Sequence, residues 1–279
     1  DVYKRQDDMR KFMDSDLVDI MLTSLSSAEV LTQQGAYANT EITPAVRLND
    51  TTDIWVGRGA AYDSQPALPF RTARLDRVKP VSDLGLYAIT FYNDLHQDHR
   101  TLEEYARFRD EASAKGIRHF LEVFNPKTQV VTPGADFGSY NNDAVVRCLA
   151  AVSKHDQPLF LKAAYNGPAA TEEITSYDPE NLIFGILGGG AGTTRDCLEL
   201  IRQAERYGAR VALFGRKIYY AEDSISMVTA MRRTIEEKLD SVEATKAYHA
   251  DLEKLGISPF RELNADLELT EDVLKVGLG

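Results

Sequence analysis

The sequence predicts an α/β protein with the architecture of a (β/α)8 barrel that lacks its first strand. Apolar segments of strand length alternate with amphipathic helical patterns along the 279 residues, which is typical of βαβ units and a parallel sheet. The apolar segments are nearly continuous, as expected of parallel strands that are covered on both faces. The glycine run GGGAG does not match the dinucleotide fingerprint G-x-G-x-x-G, and this favours a barrel over a Rossmann sheet.

Seven segments are predicted to be strands. In chain order they are LVDIMLTS (17–24), PAVRLND (44–50), LGLYAITFYND (84–94), IRHFLEVFN (117–125), PLFLKAAYN (158–166), NLIFGIL (181–187) and ARVALFG (209–215). Seven strands fit a barrel of eight without its first strand better than they fit a doubly wound sheet. We therefore interpret the chain as truncated at its start.

Helices are predicted between several of these strands. SSAEVLTQQG has a capping box of Ser26 and Glu29, and TLEEYARFRDEASAKG has one of Thr101 and Glu104. TRDCLELIRQAERYG repeats apolar residues at helical spacing, with a threonine at its start to cap it and Gly208 at its end. EDSISMVTAMRRTIEEKL follows the last predicted strand and also has one apolar face.

The two ends of the chain are predicted to lie outside the barrel. The first six residues, DVYKRQ, resemble a translated adapter sequence, so residues 1–6 are excluded from the fold prediction. We expect the barrel domain to span residues 7–255 and a C-terminal extension to span residues 256–279.

Composition and charge limit the classes of partner. With 32 basic and 43 acidic residues the formal net charge is −11, which opposes binding to nucleic acid and to anionic membranes. No apolar run approaches the roughly 18 residues of a membrane span, and no signal segment is recognised. Cys148 and Cys197 lie in helical patterns without metal-ligand spacing, so we interpret them as reduced packing residues of a cytoplasmic protein.

Two glycine turns are predicted to bind phosphate. Gly188, Gly189 and Gly190 directly follow a predicted strand, and glycine lets another group approach the backbone closely. In barrels, phosphate commonly lies at the loops after the seventh and eighth strands, facing backbone N–H groups. Gly215 and Arg216 end the next strand and add a guanidinium suited to phosphate. The alternative is a tight turn with Arg216 paired to a surface carboxylate.

Lys162 is the candidate nucleophile. It follows the apolar residues Phe160 and Leu161 and precedes two alanines, where an ammonium is costly to desolvate without a partner. A lysine in such a place can form a Schiff base with a carbonyl substrate. The alternative is a lysine at a strand end that reaches solvent or pairs with a carboxylate.

Three motifs carry a resemblance to a known family: FLKAAY, ILGGGAGTTRD and FGRKIYYAEDSISMVTAMR. From about residue 17 to 250 the chain resembles the archaeal-type class I fructose-bisphosphate aldolases and a related bacterial thiolase that acts on the phosphorylated autoinducer-2 product. All of these are Schiff-base TIM barrels. The resemblance implies that Lys162 is the Schiff-base lysine. It also implies that Gly188, Gly189, Gly215 and Arg216 bind the substrate phosphate.

The chain departs from this family at two places. The family's aspartate on the first strand lies in the part that the chain is predicted to lack. On the fifth strand the fructose-bisphosphate aldolases carry a tryptophan and an acid tyrosine, whereas this chain reads LEVFNP, with Asn125 at the tyrosine position.

Glu122 is a candidate for the proton transfer. It lies on the same strand face as Phe120 and Phe124, so it points either into the barrel or towards the covering helices. If Glu122 and Lys162 both face the interior, they form either a base and nucleophile pair or a structural ion pair.

Four further residues are weaker candidates. Tyr92 and Tyr165 follow predicted strands and are possible acids, with aromatic packing as the alternative. Arg47 and Asn49 are candidates for binding the far end of a substrate, with a surface salt bridge as the alternative for Arg47.

The predicted function is that of a class I aldolase-like lyase on a phosphorylated ketose-like substrate. The alternatives are a phosphosugar isomerase or epimerase, in which Lys162 acts only as a charge, and a sugar-phosphate-binding protein without catalysis. We expect no cofactor. We also expect no metal, because His96 and His99 in DLHQDHR are interpreted as solvated loop residues, with a metal site formed with Asp94 and Asp98 as the alternative. We also expect self-association.

Overall fold

The structure is a computed structural model that describes residues 2–49, 59, 64–188 and 192–277. The chain divides into two compact units, Asp1–Ala163 and Ala164–Gly279. Across these described ranges, no helix has the length and apolar character that a membrane span requires.

The first unit contains five parallel strands that pair in chain order. Its elements are α1 (Val2–Ser15), β1 (Ile20–Thr23), α2 (Leu25–Gln33), β2 (Thr43–Arg47), α3 (Leu75–Val78), β3 (Leu84–Thr90), α4 (Leu95–Ala114), β4 (Arg118–Phe124), α5 (Phe137–Leu149) and β5 (Phe160–Ala163). All seven residues of β3 are buried, as expected of a parallel strand that is covered on both faces.

The second unit contains two parallel strands and seven helices among its described residues. Its elements are α6 (Pro168–Tyr177), β6 (Ile183–Leu187), α7 (Thr194–Arg206), β7 (Val211–Leu213), α8 (Arg216–Tyr219), α9 (Ser224–Glu236), α10 (Ser241–Lys254), α11 (Leu263–Asp266) and α12 (Asp272–Val276). Six of the seven predicted strands contain an observed strand, and β2 begins one residue before its predicted segment, so the prediction of strand positions is confirmed.

The predicted start of α4 is wrong. The helix begins directly after Asp94, whose carboxylate accepts hydrogen bonds from the backbone N–H groups of His96 and Gln97. Thr101 lies inside the helix and is buried, so it does not form a capping box with Glu104. The local S/T-x-x-E pattern fits a cap, but Asp94, seven residues earlier, accepts the hydrogen bonds at the start of the helix.

The starts of two other helices differ in outcome. α2 is capped by Ser24, which accepts from the backbone N–H of Ser27, so the predicted box of Ser26 and Glu29 is also wrong. The helix starts earlier because Ser24 is the last residue with an extended backbone. For α7 the prediction is confirmed, because Thr193 is the N-cap and forms a capping box.

One face of β3 and β4 packs against α4 through aromatic side chains. Tyr87 of β3 stacks on Phe108 of α4 with ring centroids 4.1 Å apart. His119 of β4 lies in the same layer, where its Nε2 is 2.9 Å from the hydroxyl of Tyr105. Burial lowers the pKa of His119 to about 3, so this imidazole is neutral. Odd-numbered positions of β4 therefore face α4, and even-numbered positions face the other side of the sheet.

The N-terminus of α7 binds the C-terminal segment through Asp196. Asp196 Oδ2 accepts from the Thr193 backbone N–H at 2.8 Å, which completes the capping box. The same carboxylate accepts from the backbone N–H and the hydroxyl of Thr270, at 2.9 Å and 2.5 Å. One aspartate thus fixes both the start of a helix and a segment that lies far away in sequence.

Asp266 makes a second contact between the C-terminal segment and α7. Its Oδ1 accepts from the Thr194 backbone N–H at 2.7 Å, and its Oδ2 is 2.9 Å from His249 Nε2. Burial by itself raises the pKa of Asp266. The hydrogen bonds from Thr194 and His249 outweigh that effect, so the pKa lies below its ordinary value.

We predict that Asp266→Ala destabilises the protein by about 1.5–3 kcal/mol, because it leaves the buried Thr194 N–H without an acceptor. Denaturant unfolding of the full chain at pH 7 measures this loss. Because the folded pKa of Asp266 is depressed, its contribution is present above the unfolded pKa of about 4 and is lost as the pH falls through the folded pKa. The difference between wild type and variant should therefore shrink below about pH 4.

The matched control is Asp272→Ala. Asp272 lies in the same segment, but it is 93% exposed and pairs only with Lys275 within one helical turn. An exposed pair of this kind contributes little, so the control should unfold like wild type. Equal stability of both variants and wild type would contradict the role given to Asp266.

Candidate active site

Lys162 and Glu122 form an ion pair between neighbouring strands of the first unit. The register of β4 and β5 places Glu122 directly opposite Lys162. Lys162 Nζ is 2.5 Å from Glu122 Oε1, and the two residues are only 7% and 2% exposed. The structure therefore contains the pair that was predicted for Glu122 and Lys162 if both face the interior. Its catalytic role stays a prediction.

The pair lies on the sheet face that α4 does not cover. His119 of β4 packs against α4, and Glu122 is three residues further along the strand, on the opposite face. On that face, Phe120 and Phe160 stack with ring centroids 4.4 Å apart, next to the ion pair along the two strands. The aromatic pair therefore borders the ion pair on one side.

Arg47, at the end of β2, approaches the second oxygen of Glu122. Its Nη1 lies 3.9 Å from Glu122 Oε2, within ion-pair distance but beyond a hydrogen bond. Glu122 Oε2 is buried and has no hydrogen-bond partner among the described residues. The carboxylate therefore lies between two cations and keeps one oxygen available to accept a further proton or hydrogen bond.

Asn49 and Tyr92 both bond to nearby backbone. The Asn49 amide donates to the Ala88 carbonyl and accepts from the Ala88 N–H, each at 2.7 Å, which ties the end of β2 to β3. The Tyr92 hydroxyl accepts from the Ala67 N–H at 2.8 Å. Burial raises the pKa of Tyr92 and the bond from Ala67 opposes this, with a net increase that keeps the phenol protonated. Their substrate-binding and acid roles stay predictions.

Tyr165, the other tyrosine considered as an acid, belongs to the second unit. Its hydroxyl donates to Gln203 Oε1 of α7 at 2.8 Å, and burial raises its pKa. This contact agrees with the alternative interpretation of Tyr165 as a packing residue. Within the described residues, no group of three or more His, Cys, Asp or Glu side chains is arranged to hold a metal ion.

Gly188 is a position where another group does approach the backbone. A Cβ at this residue would lie 1.8 Å from a ring carbon of Phe214, so only glycine fits beside that ring. The Gly188 N–H donates to the Leu213 carbonyl at 3.4 Å, which links the turns after β6 and β7. Gly189 and Gly190 lie outside the described residues, and their phosphate role stays a prediction.

The turn after β7 presents an open backbone and a cation. Gly215 precedes α8, has no neighbouring atom within 4 Å of a Cβ position, and provides no side-chain cap. Arg216 is exposed, and its guanidinium makes no ion pair with a residue that the structure describes. Lys217 donates to the carbonyls of Gly192 and Thr193 at 3.2 Å and 2.9 Å, so it holds this turn against the one before α7.

The N-terminus of α7 itself is occupied by protein groups. The Thr194 N–H donates to Asp266, and the Asp196 N–H donates to Thr193 Oγ1 at 3.0 Å. An anion at this terminus would meet two buried carboxylates, those of Asp196 and Asp266. The predicted phosphate site therefore depends on Arg216 and the glycine turns rather than on the dipole of α7.

Sequence reasoning missed three residues of this region: Lys217, Asp196 and Asp266. The capping pattern TTRD contains Asp196 as the residue three after Thr193, so this one could have been found. Lys217 directly follows Arg216, and the sequence does not indicate which of the two adjacent cations contacts the neighbouring turn. Asp266 has no local signal, because its partner Thr194 is 72 residues away.

Comparisons with known proteins agree on the fold. No protein-family model and no curated protein sequence matches the chain. The structure is similar to that of the fructose-bisphosphate aldolase from Slackia heliotrinireducens, at 14% identity, with a TM-score of 0.60 over 87% of this chain and 76% of that one. It is also similar to a protein of Corynebacterium glutamicum, at 17% identity, with a TM-score of 0.61 over 86% and 78%. The predicted fold class, an α/β barrel, is thereby confirmed.

We predict strong energetic coupling between Glu122 and Lys162. Glu122→Gln or Lys162→Met alone should cost about 3–5 kcal/mol in unfolding free energy, because each leaves an uncompensated buried charge. The double variant should cost clearly less than the sum, and a double-mutant cycle by denaturant unfolding measures the difference. Additive losses would mean that the ion pair does not form in solution.

A surface pair on the same unit serves as the control. Arg107 and Glu104 of α4 are 2.8 Å apart but 68% and 38% exposed. Their cycle should give a coupling near zero, because solvent and salt screen the pair.

Proposed function

We propose that this protein is a class I, Schiff-base carbon–carbon lyase that acts on a phosphorylated ketose-like substrate. The observation that carries the proposal is the buried pair of Lys162 and Glu122, with Nζ and Oε1 2.5 Å apart. An amine next to a carboxylate is the arrangement that an activated lysine nucleophile and its base require. The likeness in fold to a fructose-bisphosphate aldolase supports the same class of reaction.

In the proposed mechanism, Glu122 first accepts a proton from the Lys162 ammonium. The neutral amine attacks the ketone carbon, and the carbinolamine that results loses water to give an iminium. The proton for the departing hydroxyl returns from the Glu122 carboxylic acid. These steps leave Glu122 ionised again and the substrate covalently bound to Lys162.

Cleavage then uses the free oxygen of Glu122. The iminium withdraws electrons from the adjacent C–C bond when a substrate hydroxyl loses its proton. Glu122 Oε2 is buried without a hydrogen-bond partner in the described structure and is the acceptor for that proton. Arg47, 3.9 Å away, stabilises the carboxylate and is proposed to orient the substrate's far end. Tyr92 is proposed as an alternative to Glu122 for donating a proton. Asn49 is proposed to bind the substrate's far end together with Arg47, at the end of β2.

Phosphate binding is proposed for the glycine turns of the second unit. Arg216 provides the charge, and Gly215, which has no neighbouring atom within 4 Å of its Cβ position, leaves the turn after β7 open to an anion. At Gly188 the Phe214 ring fills the space beside the backbone, so the proposed contribution of Gly188 is the close approach of the two turns. No cofactor is needed for this chemistry, since the iminium on Lys162 is the electron sink. Self-association, predicted from the family resemblance, belongs to the same proposal.

We predict that borohydride traps one substrate adduct on Lys162. Dihydroxyacetone phosphate and borohydride should add one reduced ligand to the intact chain, and peptide mapping should place it in FLKAAYNG. Lys162→Arg should abolish the adduct, because a guanidinium stays protonated and does not attack a carbonyl. This variant keeps a positive charge opposite Glu122, so its fold is preserved better than that of Lys162→Met.

Three comparisons make the trapping decisive. Lys154→Arg, at an exposed lysine, should leave the adduct intact. Glu122→Gln should slow adduct formation by about 10²–10⁴-fold without moving the site. Turnover without any adduct would replace this proposal with the phosphosugar isomerase or epimerase, and binding without turnover would replace it with a sugar-phosphate-binding protein.

We predict that Arg216→Ala weakens binding of dihydroxyacetone phosphate by about 1.5–3 kcal/mol, the scale of a charge-assisted hydrogen bond. Calorimetric titration measures this loss. The affinity for dihydroxyacetone, which lacks the phosphate, should differ little between wild type and Arg216→Ala. Arg232→Ala is the control, since Arg232 pairs with Glu236 along α9. Equal losses for both ligands would remove Arg216 from the phosphate site.

A further inference from the structure

A small cavity of about 110 Å³ lies between the start of β4 and the end of α4. Its charged and titratable lining consists of Arg109, Arg118, His119, His155 and Asp156. Glu122 lies four residues further along β4, about 13 Å at the rise of a parallel strand. Because catalytic groups of barrels lie at the carboxyl ends of the strands, a ligand in this cavity would be separate from the reacting groups.

The lining has an excess of positive charge. Within the described part of the chain, neither Arg109 nor Arg118 forms an ion pair. The Asp156 carboxylate is already bound by His155 Nδ1 at 3.0 Å and by Ser153 Oγ at 2.8 Å. Two arginines therefore face one compensated carboxylate, in a chain whose formal net charge is −11.

Arg109 has a buried donor without a protein acceptor. Its Nε is inaccessible to solvent and has no hydrogen-bond partner among the described residues. The guanidinium lies over the ring of Tyr105, 5.0 Å from its centroid, so its orientation is fixed by packing. A buried N–H without an acceptor is unfavourable, so the guanidinium of Arg109 has incomplete hydrogen bonding to the described protein.

His119 adds no charge to this wall of the cavity. Its pKa is lowered to about 3, first by burial and then by the charges of Arg109 and Arg118. The imidazole is neutral and is held by the Tyr105 hydroxyl. The positive potential at this wall therefore comes from the two arginines and persists at neutral pH.

The volume limits the size of the ligand. Sites for drug-sized ligands have volumes of about 300–1,000 Å³, and this cavity is well below that range. Its size suits a tetrahedral oxyanion better than a nucleotide. Arginine presents parallel N–H donors whose geometry matches two phosphate oxygens.

We propose that the cavity at the amino-terminal end of β4 is a binding site for inorganic phosphate, with Arg109 and Arg118 as its principal ligands. This site is distinct from the substrate phosphate site proposed at Arg216. Its occupant binds without reacting and stabilises the packing of α4 against β4.

The first test separates the two phosphate sites by mutation. The full chain carrying Arg216→Ala is titrated calorimetrically with sodium phosphate at constant ionic strength, with chloride as the competing control. Phosphate should still bind, and adding Arg109→Gln should raise the Kd at least tenfold. Arg107→Gln, the same change on an exposed arginine of α4, should leave the Kd unchanged. Arg118→Gln tests the site without disturbing the stacked Arg109.

The second test locates the ion. The chain has five histidines, so selective ¹⁵N-histidine labelling gives a readable NMR spectrum. Phosphate should shift the His119 and His155 signals and leave those of His96 and His249 in place. Unchanged binding after both Arg109→Gln and Arg118→Gln, or no movement of His119, would overturn the proposal. Neither result bears on the lyase, which borohydride trapping on Lys162 tests separately.

Discussion

The buried ion pair of Lys162 and Glu122 is the constraint on which the first unit depends. Each charge is costly to remove from water, and each is tolerable there only because the other is 2.5 Å away. A slip of one residue between β4 and β5 would send one of the two side chains to the opposite face and leave both unpaired. The pair therefore fixes the register of these strands, besides holding the lysine that is proposed to react. The aromatic layer between β4 and α4 gives the same register a second support from the other face.

The chemistry of the site follows from how few partners Glu122 has. A structural ion pair is usually completed by further hydrogen bonds, whereas Glu122 Oε2 has no hydrogen-bond partner within the described structure. Stability favours a carboxylate whose two oxygens both accept hydrogen bonds. A carboxylate that takes up a proton during a reaction needs one oxygen that is not already occupied. The proposed role of Glu122 as a base depends on this oxygen, which a purely structural pair would not need to keep available.

Periodicity predicted the strands and the barrel class, because buried parallel strands such as Leu84–Thr90 are apolar throughout. Sequence patterns failed to predict helix starts, because several nearby residues have side chains that can cap a helix. In α4 the N-cap is Asp94 rather than Thr101. Gly188 was correctly predicted to be approached closely, and the group that does so in the structure is Phe214. Contacts such as Asp266 with Thr194 follow from tertiary packing over 72 residues and leave no local trace.

The long reach of the C-terminal segment also has a consequence for biosynthesis. Asp196, Thr193 and Thr194 emerge from the ribosome early, yet their partners Thr270 and Asp266 follow more than seventy residues later. At about 5–20 residues per second, the start of α7 waits several seconds for these partners. During that interval the Thr194 N–H lacks its acceptor, Asp266, although the local capping box of Thr193 and Asp196 can already form. The start of α7 is therefore completed only when the C-terminal segment has been made.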